Sequence, residues 1–192
     1  MARKCNFDRD EKLTQAMELF WQRGYANTAI SDLVDTLQIN RFSLYNTFGD
    51  KQNLYYEALD KYLNTVSLPG LSALREDGAS LSAIETFLNQ FAALQRKRSC
   101  GCFIQNALVE HAGSDEKVLD KGQALFDQLL DLLSHAIHNA QQEKQISMAV
   151  SPHALAQLTL TQMQGMRVLG KAKRFDDLDQ AVNALLQLLK CH

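Results

Sequence analysis

Between Asn40 and Phe48 the chain sets Asn40, Arg41, Phe42, Ser43, Tyr45, Asn46 and Thr47 around two apolar anchors, Leu44 and Phe48. These side-chain types suit a nucleic-acid duplex. Arginine pairs bidentately with a guanine edge, asparagine pairs with adenine, and hydroxyls bond to phosphate oxygens. Phe42 can pack on a thymine methyl or simply cover the bundle behind it. A second cluster lies further on, where Ser99-Cys100-Gly101-Cys102 follows Arg96-Lys97-Arg98. Neighbouring cations and a helix N-terminus both favour thiolate over thiol, which makes Cys100 and Cys102 candidate sensors of oxidants or electrophiles. The alternative is that they are small buried residues, and the three cations equally suit the C-terminal end of a helix dipole. His111, His135, His138 and His153 share no ligand spacing with the cysteines, so neither a metal site nor a cofactor is expected. A paired nucleophile and base, a phosphate loop and a metal motif are all missing, which argues against an enzyme.

The elements that must hold Asn40–Phe48 follow from apolar spacing. Leu13, Ala16, Met17 and Phe20 repeat at helical intervals and predict a first helix over about 8–23. Asp8, Asp10 and Glu11 crowd its first turn, and Gly24 can end it. A short second helix carries Ile30, Leu33, Val34 and Leu37 after Thr28, a candidate N-cap. Gln38-Ile39-Asn40 leaves room for a tight turn only. Asn40 can then cap a third helix to about Phe48, and Asp50 a fourth carrying Leu54, Tyr55, Ala58, Leu59 and Tyr62. Three short helices with such a turn describe a helix-turn-helix, whose exposed third-helix residues can enter the major groove.

Turn signals at Leu68-Pro69-Gly70 and Asp77-Gly78 place a domain boundary near residue 64, dividing 1–64 from 65–192. Further helices are expected over about 81–98, from Cys102 to about His111, and over 115–143, 152–171 and 176–190. No strand pattern is visible, so the fold class is all-α. Only two prolines interrupt the 192 residues, in keeping with a helical chain. No apolar run approaches the ~20 residues of a membrane span, and the N-terminus lacks a secretory h-region. The expectation is a cytoplasmic protein, with Cys5, Cys100, Cys102 and Cys191 as free thiols. Charge does not advertise a nucleic-acid partner: the net charge is −2, and residues 1–60 hold seven cations against nine carboxylates. A DNA-binding reading rests instead on where single residues sit.

Residues 8–62 resemble the N-terminal domain of the tetracycline-repressor (TetR) family. The resemblance lies in Thr28-Ala29-Ile30-Ser31-Asp32-Leu33 and in the run Ile39 to Leu54, above all Leu44, Tyr45, Phe48, Lys51 and Leu54, beside the Gly24-Tyr25 helix stop. It implies a DNA-binding transcriptional regulator. Position by position, Thr28 matches a phosphate contact, Arg41 and Ser43 match base or phosphate contacts, and Tyr45 matches an aromatic that bonds phosphate. Asn46 matches a variable position facing the groove, and Lys51 a lysine that binds phosphate with the N-terminus of the fourth helix. Asn40 and Phe42 complete the DNA-contacting set, and Arg3 and Lys4 can form a basic arm. The family commonly has glycine where this chain has Gln38, so a slightly different turn is expected, since a left-handed residue costs roughly 1 kcal/mol without glycine.

For the second domain the resemblance implies a helical ligand sensor and dimerisation module. The expected homodimer pairs about 152–171 and 176–190, using Leu155, Leu158, Thr159, Gln162, Gly165, Met166 and Leu169 with Ala181, Val182, Leu185, Leu186, Leu188 and Leu189. Phe87, Phe91, Phe103 and Phe126 are candidate ligand-pocket residues; the alternative is plain core. The expected partners are therefore operator DNA, a second copy and a small-molecule or thiol-reactive inducer. A repressor, a ligand-independent regulator and an activator all fit the same sequence.

Overall fold

The computed structural model describes residues 7–97, 100–111 and 113–190, so the basic arm at Arg3 and Lys4, together with Cys5, Arg98 and Cys191, lies outside the described residues. Its helices are α1 (Arg9–Arg23), α2 (Ile30–Leu37), α3 (Arg41–Phe48), α4 (Lys51–Tyr62), α5 (Leu81–Lys97), α6 (Phe103–His111), α7 (Glu116–Gln142), α8 (Pro152–Lys171) and α9 (Phe175–Leu189). The described residues contain no strand. After α4 the chain makes a π-helical turn over Leu63–Ser67 and a 3-10 segment over Pro69–Arg75. No helix among the described residues is long and apolar enough to cross a membrane.

The chain divides into two compact units. One takes the chain up to Ser67 together with Cys102–Lys121; the other takes Leu68–Gly101 and the chain from Gly122 onward. A single cut near residue 64 therefore does not describe the first unit, because α6 and the first turns of α7 fold with α1–α4. The reasons are specific. Phe103 of α6 is buried edge-on against Tyr55 and Tyr62 of α4, at 5.6 and 5.7 Å between centroids. Tyr56 donates its hydroxyl hydrogen to Asp115 at 2.7 Å, and Lys121 pairs with Asp60.

Within the first unit, Phe20 of α1 meets Tyr55 edge-on at 5.1 Å, and Trp21 meets Tyr62 at 4.7 Å. Leu33, Leu37, Leu44, Phe48, Leu54 and Leu59 complete this core. Each such side chain contributes roughly 1.5–3 kcal/mol of burial, which the short α2 and α3 need, being below the length at which isolated helices persist.

In the second unit, α5 buries Ile84, Phe87, Leu88, Phe91 and Gln95, α8 buries Ala156, Thr159, Met163, Met166 and Arg167, and α9 buries Leu178, Val182, Leu185, Leu186 and Leu189. α5 and α8 approach closely at Gly170, where an added Cβ would lie 2.8 Å from the Cβ of Gln95. Gln141 holds the turn before α8 by donating to the carbonyls of Ser147 and Val150, both at 2.8 Å.

Candidate nucleic-acid interface

The turn between α2 and α3 is built by Gln38, Ile39 and Asn40. Gln38 adopts the left-handed conformation itself, at φ 52° and ψ 41°. The left-handed conformation is thus adopted without glycine. Its side chain compensates by donating to the carbonyl of Asp35, one of the carbonyls left open at the end of α2. Ile39 is buried and fixes the turn to the core. Asn40 is the N-cap of α3, its Oδ1 accepting from the Ser43 N–H at 2.8 Å.

Only Leu44 and Phe48 of α3 are buried. Arg41, Tyr45 and Asn46 are exposed, and Ser43 and Thr47 are half-exposed. Phe42 is 75% exposed, which removes the reading in which it covers the bundle and leaves a bare aromatic on the outer face. The Arg41 guanidinium lies 5.8 Å from the Tyr45 ring centroid. α3 carries no carboxylate, so its outer face presents one cation, one aromatic hydroxyl, amides and hydroxyls. The face can therefore meet base edges and phosphates without like-charge repulsion.

Thr28 departs from its expected role. It is fully buried, and its hydroxyl donates to the Gly24 carbonyl at 2.7 Å. The N-cap of α2 is Ala29, and Asp32 serves the exposed end by accepting from the Ala29 N–H at 2.7 Å. Thr28 thus supports the α1–α2 turn, and its side chain is withdrawn from a phosphate.

Lys51 opens α4 behind the Asp50 cap, as expected, but its ammonium sits 4.1 Å from the Tyr25 ring centroid. Burial lowers its pKa from the ordinary lysine value, while Glu110 and Asp32 push the other way. Tyr25 lies in the α1–α2 turn. Burial raises its pKa, with Asp50 and Asp115 adding to the rise.

The α1–α2 turn is held from a place that spacing in the sequence did not single out for this task. The carboxylate of Glu110, on α6, accepts from the Tyr25 N–H at 2.9 Å and the Ala26 N–H at 2.6 Å. Gly24 has φ +82°, and a Cβ there would come within 2.9 Å of the Glu110 carboxylate. Behind this clamp, His111 stands 5.5 Å from the rings of both Tyr25 and Tyr55, with its Nε2 buried and without a partner. Burial, then Glu110 and Asp115, raise the buried Tyr55 hydroxyl above the ordinary tyrosine value.

The other predicted residues separate. Phe103 belongs to the core of the first unit, whereas Phe87 and Phe91 lie 6.3 Å apart in the core of the second. Phe126 is half-exposed on α7. Phe103 is committed to Tyr55 and Tyr62. Cys102 is 4% exposed and sits just before α6, while Cys100 is half-exposed. Among the described residues no group of three or more His, Cys, Asp or Glu side chains is placed to hold a metal.

Two family models match this chain. The one for bacterial regulatory proteins of the tetR family covers residues 13–58, and the tetracyclin repressor-like C-terminal domain covers 80–186. The chain is 28% identical over 149 residues to YezE, an uncharacterised HTH-type transcriptional regulator of Bacillus subtilis, covering 77% of each chain. It is 25% identical over 183 residues to the HTH-type transcriptional repressor DhaR of a Mycobacterium species, covering 94% of this chain and 91% of that one. A cysteine-substituted variant of the TetR family regulator CifR, solved with 26-bp double-strand operator DNA, superposes with a TM-score of 0.82. It is 26% identical, and the match covers 98% of this chain and 100% of that one. With the helix-turn-helix geometry and matches over both parts of the sequence, this chain belongs to the TetR family and is a DNA-binding transcriptional regulator.

Proposed function

We propose that the protein is a homodimeric repressor that places α3 in the major groove of its operator and is released by a small inducer. The observation that carries the DNA-reading part is the carboxylate-free outer face of α3, with Arg41, Phe42, Tyr45 and Asn46 exposed on a helix anchored by Leu44 and Phe48. Arg41 and Asn46 read base edges, Ser43 and Tyr45 bond phosphate, Phe42 meets a thymine methyl, and Asn40 keeps its amide donor free while its oxygen caps the helix. Lys51 and the N-terminus of α4 take a further phosphate. DhaR is a repressor and CifR was solved on operator DNA, which supports the same assignment here. We read the chain as a binding protein rather than an enzyme, working in the cytoplasm where the operator is.

Dimerisation through α8 and α9 is supported by apolar side chains these helices leave uncovered. On α8, Leu158 and Val168 are exposed in line with Gly165, where a Cβ would meet nothing within 4 Å. On α9, Leu188 is 68% exposed. Thr159 and Met166, and on α9 Val182, Leu185, Leu186 and Leu189, belong to the unit's own core instead, so the pairing surface is narrower than the spacing suggested. Two paired heads would match half-sites ~34 Å apart, and an inducer would favour a dimer that no longer does.

A thiol-reactive inducer is the second reading. The partial exposure of Cys100 favours it over the buried Cys102. If alkylating Cys100 in the Cys102→Ser variant leaves operator affinity unchanged, this reading fails.

The operator assignment is tested by gel shift on fragments from upstream of the gene. The double variant Arg41→Ala/Tyr45→Ala is expected to lose specific binding and keep weak, salt-sensitive binding. Persistence of specific binding in that variant would overturn the role given to α3.

A further inference from the structure

Arg167 lies in the second unit on α8, with 7% of its surface exposed. One Nη donates to Gln164 Oε1 at 2.8 Å, and the guanidinium carbon stands 5.3 Å from the centroid of Phe91. Its Nε–H is buried and meets no acceptor. No carboxylate among the described residues lies within ion-pair distance of it. Arginine cannot discharge itself by losing a proton. A buried cation with an amide, an aromatic face and an unused donor is therefore incompletely compensated, and an anion would complete it.

The surroundings say which kind. Phe87 lies beside Phe91 one turn earlier on α5, and Met163, one turn before Arg167 on α8, is buried. Gln95, one turn after Phe91, is buried against Gly170. The cation thus borders an apolar wall and neutral amides. One guanidinium matches one negative charge, and its planar fork matches the two oxygens of a carboxylate. A doubly charged, strongly hydrated phosphate would carry uncompensated charge into the same place.

We propose that Arg167 anchors a ligand site in the second unit for a small organic monocarboxylate whose apolar body lies along Phe87 and Phe91. This rests on the inducer reading above and adds the chemical class. An aromatic body would stack on Phe91 beside the guanidinium, and the carboxylate would take the free Nε–H and one Nη–H.

The test uses the full-length protein and thermal-shift and calorimetric titrations at matched ionic strength. The probes are benzoate, phenylacetate and hexanoate, their primary amides, and inorganic phosphate. The carboxylates are expected to raise the melting temperature saturably, and the amides and phosphate to leave it unchanged. Arg167→Met keeps the bulk and removes the charge, a change that buried ion sites often tolerate. It is expected to weaken carboxylate binding by about tenfold to a hundredfold, the effect of losing a charge-assisted hydrogen-bond pair. Arg167→Lys keeps the charge without the fork, and is expected to bind carboxylates more weakly than the wild type while still preferring them to amides. That variant carries the test if the methionine variant does not fold. The site is overturned if none of the carboxylates binds, if amides or phosphate bind as well, or if both variants bind carboxylates as the wild type does. Operator release is measured separately. A carboxylate that binds through Arg167 without releasing operator refutes the inducer reading alone, and a neutral compound that releases operator without needing Arg167 refutes the site alone.

Discussion

Removing the Glu110 carboxylate should loosen the DNA-reading head at its α1–α2 turn. Each oxygen takes one backbone N–H, from Tyr25 at 2.9 Å and Ala26 at 2.6 Å. A hydrogen bond to a charged group contributes roughly 1.5–3 kcal/mol when shielded. Glu110 is exposed, so about 1 kcal/mol for each is the better figure, and about 2 kcal/mol for the pair. For a chain of this size, Glu110→Ala should then lower the melting temperature by about 4–8 °C. Glu110→Gln should do little better, because an amide offers one oxygen and turns donors toward the second N–H. If the turn must be held for α2 and α3 to be presented correctly, operator affinity falls by about 5- to 30-fold. Electrostatics predicts the opposite sign. Glu110 acts on Lys51, and deleting a negative charge beside the lysine proposed to bind phosphate should strengthen DNA binding. A loss of affinity in both variants, measured by fluorescence anisotropy on the operator, would therefore isolate positioning from charge. Gly24→Ala should act in the same direction, since its Cβ would press on the carboxylate at a backbone angle unfavourable for alanine. Wild-type melting and wild-type affinity in Glu110→Ala would refute the clamp.

Gln38→Gly removes a left-handed non-glycine residue and should raise stability by up to about 1 kcal/mol, or about 2–4 °C, less what the Gln38–Asp35 hydrogen bond and the freer unfolded chain take back; a lower melting temperature would show that the side-chain bond outweighs the strain. Asp115 is pushed up by burial, but the Tyr56 hydroxyl and the Val118 N–H, with His111 and Gln52, outweigh that and hold it below the usual carboxylate value. A lowered carboxyl contributes stability above its unfolded pKa of about 3.9 and loses it as pH falls through the folded value. The stability gap between wild type and Tyr56→Phe should therefore be full near about pH 7 and shrink below about pH 4, as followed by denaturant unfolding across pH. Burial, and then Asp115, push Tyr56 itself up to about 12, so it stays protonated throughout that range. On the proposed pairing surface, Leu188→Glu adds a charge to a side chain already 68% exposed, so it should leave the monomer folded but give a monomeric mass by light scattering; an unchanged dimer would move the interface elsewhere.

The elements were legible because they depend on spacing and caps. Leu13, Ala16, Met17 and Phe20 drew α1, and Asn40 and Asp50 capped α3 and α4 as expected. What spacing could not show was which neighbour each polar group would find. A threonine before an apolar run reads as a cap, yet Thr28 had a carbonyl of the preceding turn within reach and turned inward to it. Phe103 looked like a second-domain aromatic because it lies 39 residues beyond the end of the predicted head, and only tertiary packing assigns it to Tyr55 and Tyr62. Arg167 carried a faint signal: Thr159, Met163, Met166 and Gly170 mark the buried face of α8, and an arginine falls on that face.

Net charge misled for a related reason. The sum over residues 1–60 is negative, but much of that negative charge is already matched. Glu57 pairs with Arg9 and Asp32 with Arg23 inside that count, while Asp10 and Asp60 are matched by Lys61 and Lys121 from outside it. Other carboxylates are occupied as caps: Asp8 for α1 and Asp50 for α4. Arg41 and Lys51, in contrast, rest on aromatic rings and make no ion pair among the described residues, so both charges remain available to an incoming anion. At physiological salt a phosphate senses charges within about 8 Å, and within that radius of α3 the helix itself contributes a cation and no carboxylate. The same count limits what one head can do. Two such cations release few counterions, so a single head should bind feebly and lose its grip quickly as salt rises. Pairing two heads turns the second docking into an intramolecular event at high effective concentration, which raises affinity without another contact. For a head so sparing with positive charge, the pairing proposed for α8 and α9 would therefore be as much a part of reading the operator as the contact proposed for Arg41.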